Sequence, residues 1–265
     1  MALRLSKGLR NFLNETGSLK QALANGKILL YSGTQPTTAD DAVSGTLLCT
    51  YTSSAGAHTA EVQATGVVTL TSSGGSVDTF TVNSLEIMGS ATSYDTSLTV
   101  TAAAVVTKIN NNPKNMLFTA SSNLGVITIT AKPGMGTLYN AKAISVTTTT
   151  LVATVTSTTF GSGTGGGVAG VDAANGLQFG DSAAGVLSKL STQTWSGVAV
   201  ATGTAGWFRF LGSVTDAGAA DSSEVYIRLD GNVATSGANL NLSSTSITSG
   251  ATQTLDTWTL TEPAA

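Results

Sequence analysis

One cysteine, one histidine and four prolines are found among 265 residues. The single thiol, Cys49, excludes an internal disulfide and a cysteine-built zinc cluster. It alternates with Leu48 and Tyr51 in TLLCTYT, the pattern of a buried strand thiol. The single imidazole, His58, lies in the loop SSAGAHTAE with no second histidine or carboxylate at ligand spacing, so it reads as a solvated loop residue rather than a base or ligand. Charge is also scarce, at 10% of residues against about 25% in ordinary globular chains. No apolar run approaches the roughly 18 residues of a membrane-spanning helix. The small-residue triplet at Ala22–Ala24 follows no unbroken apolar stretch, so it is not a signal-peptide cleavage site. The expectation is a soluble protein made in a cytoplasm.

Serine, threonine and 30 glycines fill the gap left by charge. With 41% hydrophobic residues the chain can bury a sizeable core, as one large all-β domain or two ordinary ones. A hydrated but uncharged surface repels neighbouring copies weakly. That suits a close-packed assembly, and equally an adhesin or a sugar-binding module.

The net charge of −3 is unevenly spread. Residues 1–27 carry Arg4, Lys7, Arg10, Lys20 and Lys27 against Glu15, a net of +4; the remainder carries seven bases and fourteen acids, a net of −7. A basic leader on an acidic body predicts an arm that docks on a partner or a second copy. Nucleic acid is disfavoured, because Phe12 is the only aromatic among those bases.

Within the leader, Leu5, Leu9, Phe12 and Leu13 share one helical face. SLKQ fits a capping box at Ser18 and Gln21, with Gly26 as the glycine past the helix end. From Lys27 the pattern turns to strands: KILLYSG, a turn-rich loop around Pro36, and TLLCTYT. Residues 58–167 change texture to Thr/Val-rich strands. One helix interrupts them, TAAAVVTKIN, with Thr101 as cap and Ala104, Val105, Lys108 and Ile109 as its face. An inserted β-rich domain over 58–167 follows, inside a discontinuous domain of 1–57 and 168–265. A helix or turn is expected in AAGVLSKL, then strands VAVAT, WFRFLGSV, SEVYIRLDG, NLNLSS and QTLDTWTLT. The fold class is mainly β: a β-sandwich or barrel-like domain with a short helical leader and a β-rich, one-helix insert.

Chemical motifs fail on context. GSGTGG, Gly161–Gly166, matches G-x-G-x-x-G but opens no amphipathic helix, so it reads as a hinge. FGDSAAG, Phe179–Gly185, resembles the nucleophile block of GDS-type esterases, yet no Asp–His pair follows Ser182 to activate it. Asp40–Asp41 and the group Asp216, Asp221 and Glu224 lack the spacing of a Ca²⁺ loop. No catalytic residue, cofactor or metal site is expected.

WFRF, Trp207–Phe210, places Phe208 and Phe210 on one strand face and Trp207 and Arg209 on the other. In EVYIRL, Val225, Ile227 and Leu229 form the apolar side, and Tyr226 and Arg228 the opposite one. Paired, these strands line one face with aromatics and guanidiniums, residue types enriched at interfaces. Three readings are open: a face covered within the chain by the leader or the insert, an inter-subunit contact, or a sugar-stacking platform on Trp207 or Tyr226. The candidate interface residues are Arg4, Lys7, Leu9, Arg10, Phe12, Trp207, Arg209, Tyr226 and Arg228.

LRLSKGLRNFL, ANGKILLYSGTQPTTADDAVSGTLL, NGLQFG…GVLSK…TWSGVAVATGTAGWFRF and RLDGNVATSGANLNLSS…TWTLTEPAA together resemble a family of tailed-bacteriophage virion structural proteins. The resemblance covers roughly 1–55 and 170–265; the insert resembles a β-rich module of phage structural proteins. It implies a non-enzymatic virion component, an accessory capsid protein that decorates or cements the head, with a tail, collar or fibre protein as the alternative. The implied partners are other phage structural proteins (major capsid or tail and neck proteins) and further copies of the chain, with no membrane. The competing class is a carbohydrate-binding adhesion module for a cell-surface glycan; an esterase using Ser182 is a third.

Overall fold

A computed structural model describes residues 3–151, 153–155, 159–161 and 167–261. The chain is mainly β. It separates into two compact units, residues 1–61 with 173–265, and residues 62–172. The first is called the outer unit here, the second the insert.

The outer unit begins with β1 (Arg4–Leu5), α1 (Lys7–Glu15), α2 (Leu19–Leu23), β2 (Lys27–Ser32) and β3 (Leu47–Ser53). The insert follows as β4 (Thr65–Leu70), β5 (Ser76–Val82), β6 (Leu85–Glu86), β7 (Thr92–Ser93), α3 (Leu98–Asn111), β8 (Phe118–Asn123), β9 (Val126–Ala131), β10 (Ile144–Thr149) and β11 (Ala153–Val155). The chain then returns to the outer unit with β12 (Val186–Ser188), β13 (Trp195–Val198), β14 (Gly203–Leu211), β15 (Arg228–Ala234), β16 (Leu240–Asn241), β17 (Ser246–Ile247), β18 (Thr252–Leu255) and β19 (Thr259–Thr261).

One sheet organises the outer unit, in the order β1-β15-β14-β2-β3-β13-β18, with β16 on β15 and β17 on β14. Its long pairings are antiparallel. One face buries Phe208 and Phe210 with Leu9, Phe12, Trp195, Phe179 and Trp258. Phe179, Trp195, Phe210 and Trp258 meet with ring centroids 5.5–6.3 Å apart. Cys49 is a buried strand thiol in this core, and burial pushes its pKa up to about 11.

In the insert, β10-β5-β6 with β7 and β11-β4-β9-β8 form two sheets around a separate core. Helix α3 contributes Ala102, Val105 and Ile109 to that core. Its cap is Ser97, whose hydroxyl accepts from the Val100 N–H at 3.3 Å, rather than the expected Thr101. Thr101 is buried one turn later and donates to the Ser97 carbonyl.

The insert's limits differ from the expected 58–167 because of backbone pairing. Thr59 bridges Ala174 and Glu61 bridges Val214, within the outer unit, whereas Val62 bridges Val171 within the insert. Other local readings change too. Asn25, with φ 62°, takes the left-handed position after α2. Gly26 is needed for close packing, since a Cβ there would lie 2.0 Å from the Leu211 carbonyl oxygen. AAGVLSKL takes the turn rather than the helix of the two expected conformations, Ala183 bridging Val186, and leads into β12 against β19. Val225 is exposed and precedes β15, while Ile227 and Leu229 are buried. From Ser162 onward the GSGTGG stretch lies outside the described residues.

Reciprocal hydrogen bonds between Val62 and Val171, at 3.0 and 2.9 Å, bring the insert's two ends together. Joining Glu61 to Ala173 through a short Gly-Ser turn is therefore expected to leave a cooperatively melting outer unit, read by near-UV circular dichroism and thermal denaturation. Loss of the near-UV signal would show that the outer unit depends on the insert.

Candidate interface

The leader is fixed to its own body. Ser6, fully buried, caps α1 by accepting from the Leu9 N–H at 3.1 Å. The same hydroxyl accepts from the Arg228 N–H at 3.0 Å and donates to the Tyr226 carbonyl at 2.7 Å. Gly8 completes the seat: a Cβ there would stand 2.4 Å from the Tyr226 carbonyl oxygen. Leu9 and Phe12 are buried in the outer core. Lys7 pairs with Glu224 at 2.7 Å on the surface, Arg4 Nη1 donates to the Pro36 carbonyl, and Arg10 is exposed. The apolar half of the expected docking arm thus serves intramolecular packing.

Sheet register then explains the Trp/Arg face. Arg209 stands opposite Asp230 on β15, and Arg4 on β1 stands opposite the same Asp230. One rung along, Trp207 lies beside Tyr31, and their rings stack at 4.6 Å with 14° between planes. Arg209 Nε and Nη2 donate to the two Asp230 oxygens at 2.8 and 2.7 Å, and Nη1 donates to the Asp41 carbonyl at 3.0 Å. Arg228 Nε and Nη2 donate to Asp216 at 2.6 and 2.7 Å, and Nη2 also donates to the Ala219 carbonyl at 2.8 Å. Its Nη1 lies 3.4 Å from the Ala39 carbonyl oxygen. Both guanidiniums are fully buried. Each also sits near an aromatic ring, Arg209 at 5.6 Å from Trp207 and Arg228 at 5.0 Å from Tyr226.

Two loops close this face, residues 33–46 and 212–227. They also bond each other: Asp221 N–H to the Asp40 carbonyl at 2.7 Å, and Val43 N–H to the Gly218 carbonyl at 2.9 Å. The outward interface expected for Trp207, Arg209 and Arg228 is therefore corrected, since all three have no exposed surface. Tyr226 is half-buried beneath Arg228. A sugar ring cannot stack on a buried Trp207, so that half of the expected platform is removed, which leaves the half-buried Tyr226. Covering within the chain is what occurs, by these two loops of the outer unit.

The acids Asp216, Asp221 and Glu224, which lack the spacing of a Ca²⁺ loop, have structural partners. Asp216 holds Arg228, Glu224 holds Lys7, and Asp221 accepts from the N–H groups of Ser223, Glu224 and Tyr226 and from the Ser223 hydroxyl. His58 is half-buried against the Asn25 carbonyl at 3.0 Å, and burial lowers its pKa. Ser182 is exposed, and the adjacent Asp181 pairs with Lys20 at 2.9 Å. Among the described residues no cluster of three metal-ligating side chains forms, and no helix is long and apolar enough to cross a membrane.

Sequence reasoning missed Asp230, Ser6 and the carbonyls of Ala39 and Asp41. Asp230 was accessible: it shares strand parity with Arg228 and carries the opposite charge to Arg209. Backbone carbonyls leave no mark in side-chain patterns. No known family, characterised protein or solved structure matches the chain.

Burial pushes the Asp221 carboxyl up, but its four hydrogen bonds outweigh that and hold its pKa below the ordinary value. A carboxyl lowered in the native state stabilises the fold above the unfolded value of about 4. That contribution disappears as pH falls through the lowered native value. Asp221→Asn is expected to cost about 1–3 kcal/mol at neutral pH and to flatten the acid limb of the stability profile below about pH 4. Urea midpoints across pH measure it; an acid limb identical to wild type would contradict the assignment.

Proposed function

We propose that this chain is a non-enzymatic structural component of a tailed-bacteriophage virion, an accessory capsid protein that decorates or cements the head. One observation carries the reading. The stretches that resemble the phage family build the outer unit's frame: LRLSKGLRNFL supplies Ser6 and α1, GTQPTTADDAVSG supplies one covering loop, and WFRF and RLDG supply Arg209, Arg228 and Asp230. Their polar groups hold loops and leader in place, which is the chemistry of a rigid building block. The low surface charge supports repeated packing of identical copies.

The adhesion reading loses Trp207 to burial and keeps only the half-buried Tyr226, which has Arg228 against its ring. The esterase reading has only an exposed Ser182 beside an aspartate that is already paired with lysine. A tail or neck position differs from the capsid role in location and copy number, so counting separates them. Quantitative mass spectrometry of purified virions and of tailless heads is expected to find the chain in hundreds of copies, retained on heads. A dozen or fewer copies, lost with the tails, would move it to the tail or neck; absence from virions would end the proposal.

A further inference from the structure

Sheet edges expose unpaired N–H and C=O groups, and soluble proteins blunt them with charge, proline, bulges or covering groups. Two of this chain's edges are blunted. At one end of the outer sheet, β1 has two residues and turns directly into α1. In the insert, the Asn110 amide covers edge strand β8, donating to the Ala120 carbonyl at 2.9 Å and accepting from its N–H at 2.8 Å. The other end of the outer sheet is β18. A bulge, Gly250 with φ 82° and Ala251 both bonded to Ala199, ends just before it, but among the described residues the strand itself carries none of these devices. Thr252–Leu255 reads TQTL, without charge or proline, and its ladder with β13 runs with no shift of register.

The hydrogen-bond phase identifies which groups are open. Ala199 N–H donates to the Ala251 carbonyl at 2.9 Å, so in an antiparallel ladder residues 251, 253 and 255 face β13. Thr252 and Thr254 alternate with them and turn their N–H and C=O outward. Both residues are exposed, and among the described residues β18 pairs only with β13. Beside the edge, Val198 and Val200 are 52% and 63% exposed, and Val198 stands opposite Thr252 in the register.

We propose that two copies of this chain join edge to edge through antiparallel β18 strands, giving a two-fold dimer with one continuous sheet. The strand is complementary to itself. With the two-fold axis at Gln253, Thr252 of each copy meets Thr254 of the other, and the outward groups make four backbone hydrogen bonds. Gln253 meets its own copy, amide to amide, and Leu255 meets Ala251. Residues 251–255 carry no charge, so no like charges face each other across the seam. Such an isologous contact closes on itself as a dimer rather than growing into a fibre. This seam gives the proposed assembly role a specific contact and rests on that reading only for its biological setting.

Sedimentation equilibrium of the purified full chain over rising concentration tests it. Wild type is expected to reach twice its 26.5 kDa mass. Thr252→Lys with Thr254→Lys places like charges across the seam and is expected to return the mass to one chain while near-UV circular dichroism stays native. Gln253→Cys places two thiols at a non-hydrogen-bonded pair, where Cα atoms approach to about 4.5 Å, within disulfide reach. It is expected to form a covalent dimer on mild oxidation. Cys49 is buried and does not compete. A wild type that stays monomeric at every concentration, a dimer unaffected by the double lysine variant, or a Gln253→Cys chain that does not cross-link would each overturn the seam. A monomer found in virions would overturn only the seam; a dimer absent from virions would overturn only the proposed function.

Discussion

A guanidinium removed from water must have its hydrogen bonds and its charge satisfied inside the protein. Two of them, on Arg209 and Arg228, set the terms for the outer unit. Each takes a carboxylate in a two-pronged pairing and directs its remaining N–H groups at loop carbonyls. Loops 33–46 and 212–227 are thereby held over the sheet. The leader is part of the same system, because Ser6 bonds the backbone at Arg228 and Tyr226 on the strand that bears one of the guanidiniums. The arginine–carboxylate pairs, with the Tyr31–Trp207 stack beside them, occupy one face of the sheet, and the main apolar core the other.

Much of this was legible in the strand parities. WFRF and EVYIRL alternate cleanly enough to separate the aromatic core from a second, arginine-bearing face. The helical spacing of Leu9 and Phe12 located the buried stripe of α1. The covering layer could not be read, because its working groups are carbonyls of Ala39, Asp41 and Ala219 in a sequence that looks like solvated turn. Asp40 and Asp41 invited attention to their carboxylates, whereas the contacts to the arginines come from the backbone. AAGVLSKL, expected as a helix or a turn, is a turn that runs on into a strand; a short apolar run fits a helix face and a strand equally well. Gly8 marked a close approach of backbone to backbone, and nothing in a helical pattern distinguishes that from a tolerated glycine.

The candidate interface was the least legible part, for a physical reason. Trp, Tyr and Arg are favoured both at protein interfaces and in buried polar networks, since each combines a large apolar surface with directed hydrogen bonds. Residue type therefore identified a face that had to be covered and could not identify the cover. With that face closed internally, the proposed contact between copies rests on a surface of a different kind, the uncharged edge of β18.

The central claim is that the Arg209–Asp230 pair acts as a unit, and a double-mutant cycle tests it most directly. Arg209→Met or Asp230→Leu alone leaves one buried charge without its partner and is predicted to cost about 3–5 kcal/mol. The double variant replaces both with apolar groups and is predicted to recover a large part of that loss, leaving a coupling energy of about 2 kcal/mol or more in urea unfolding. Single losses that simply add in the double variant would contradict the account.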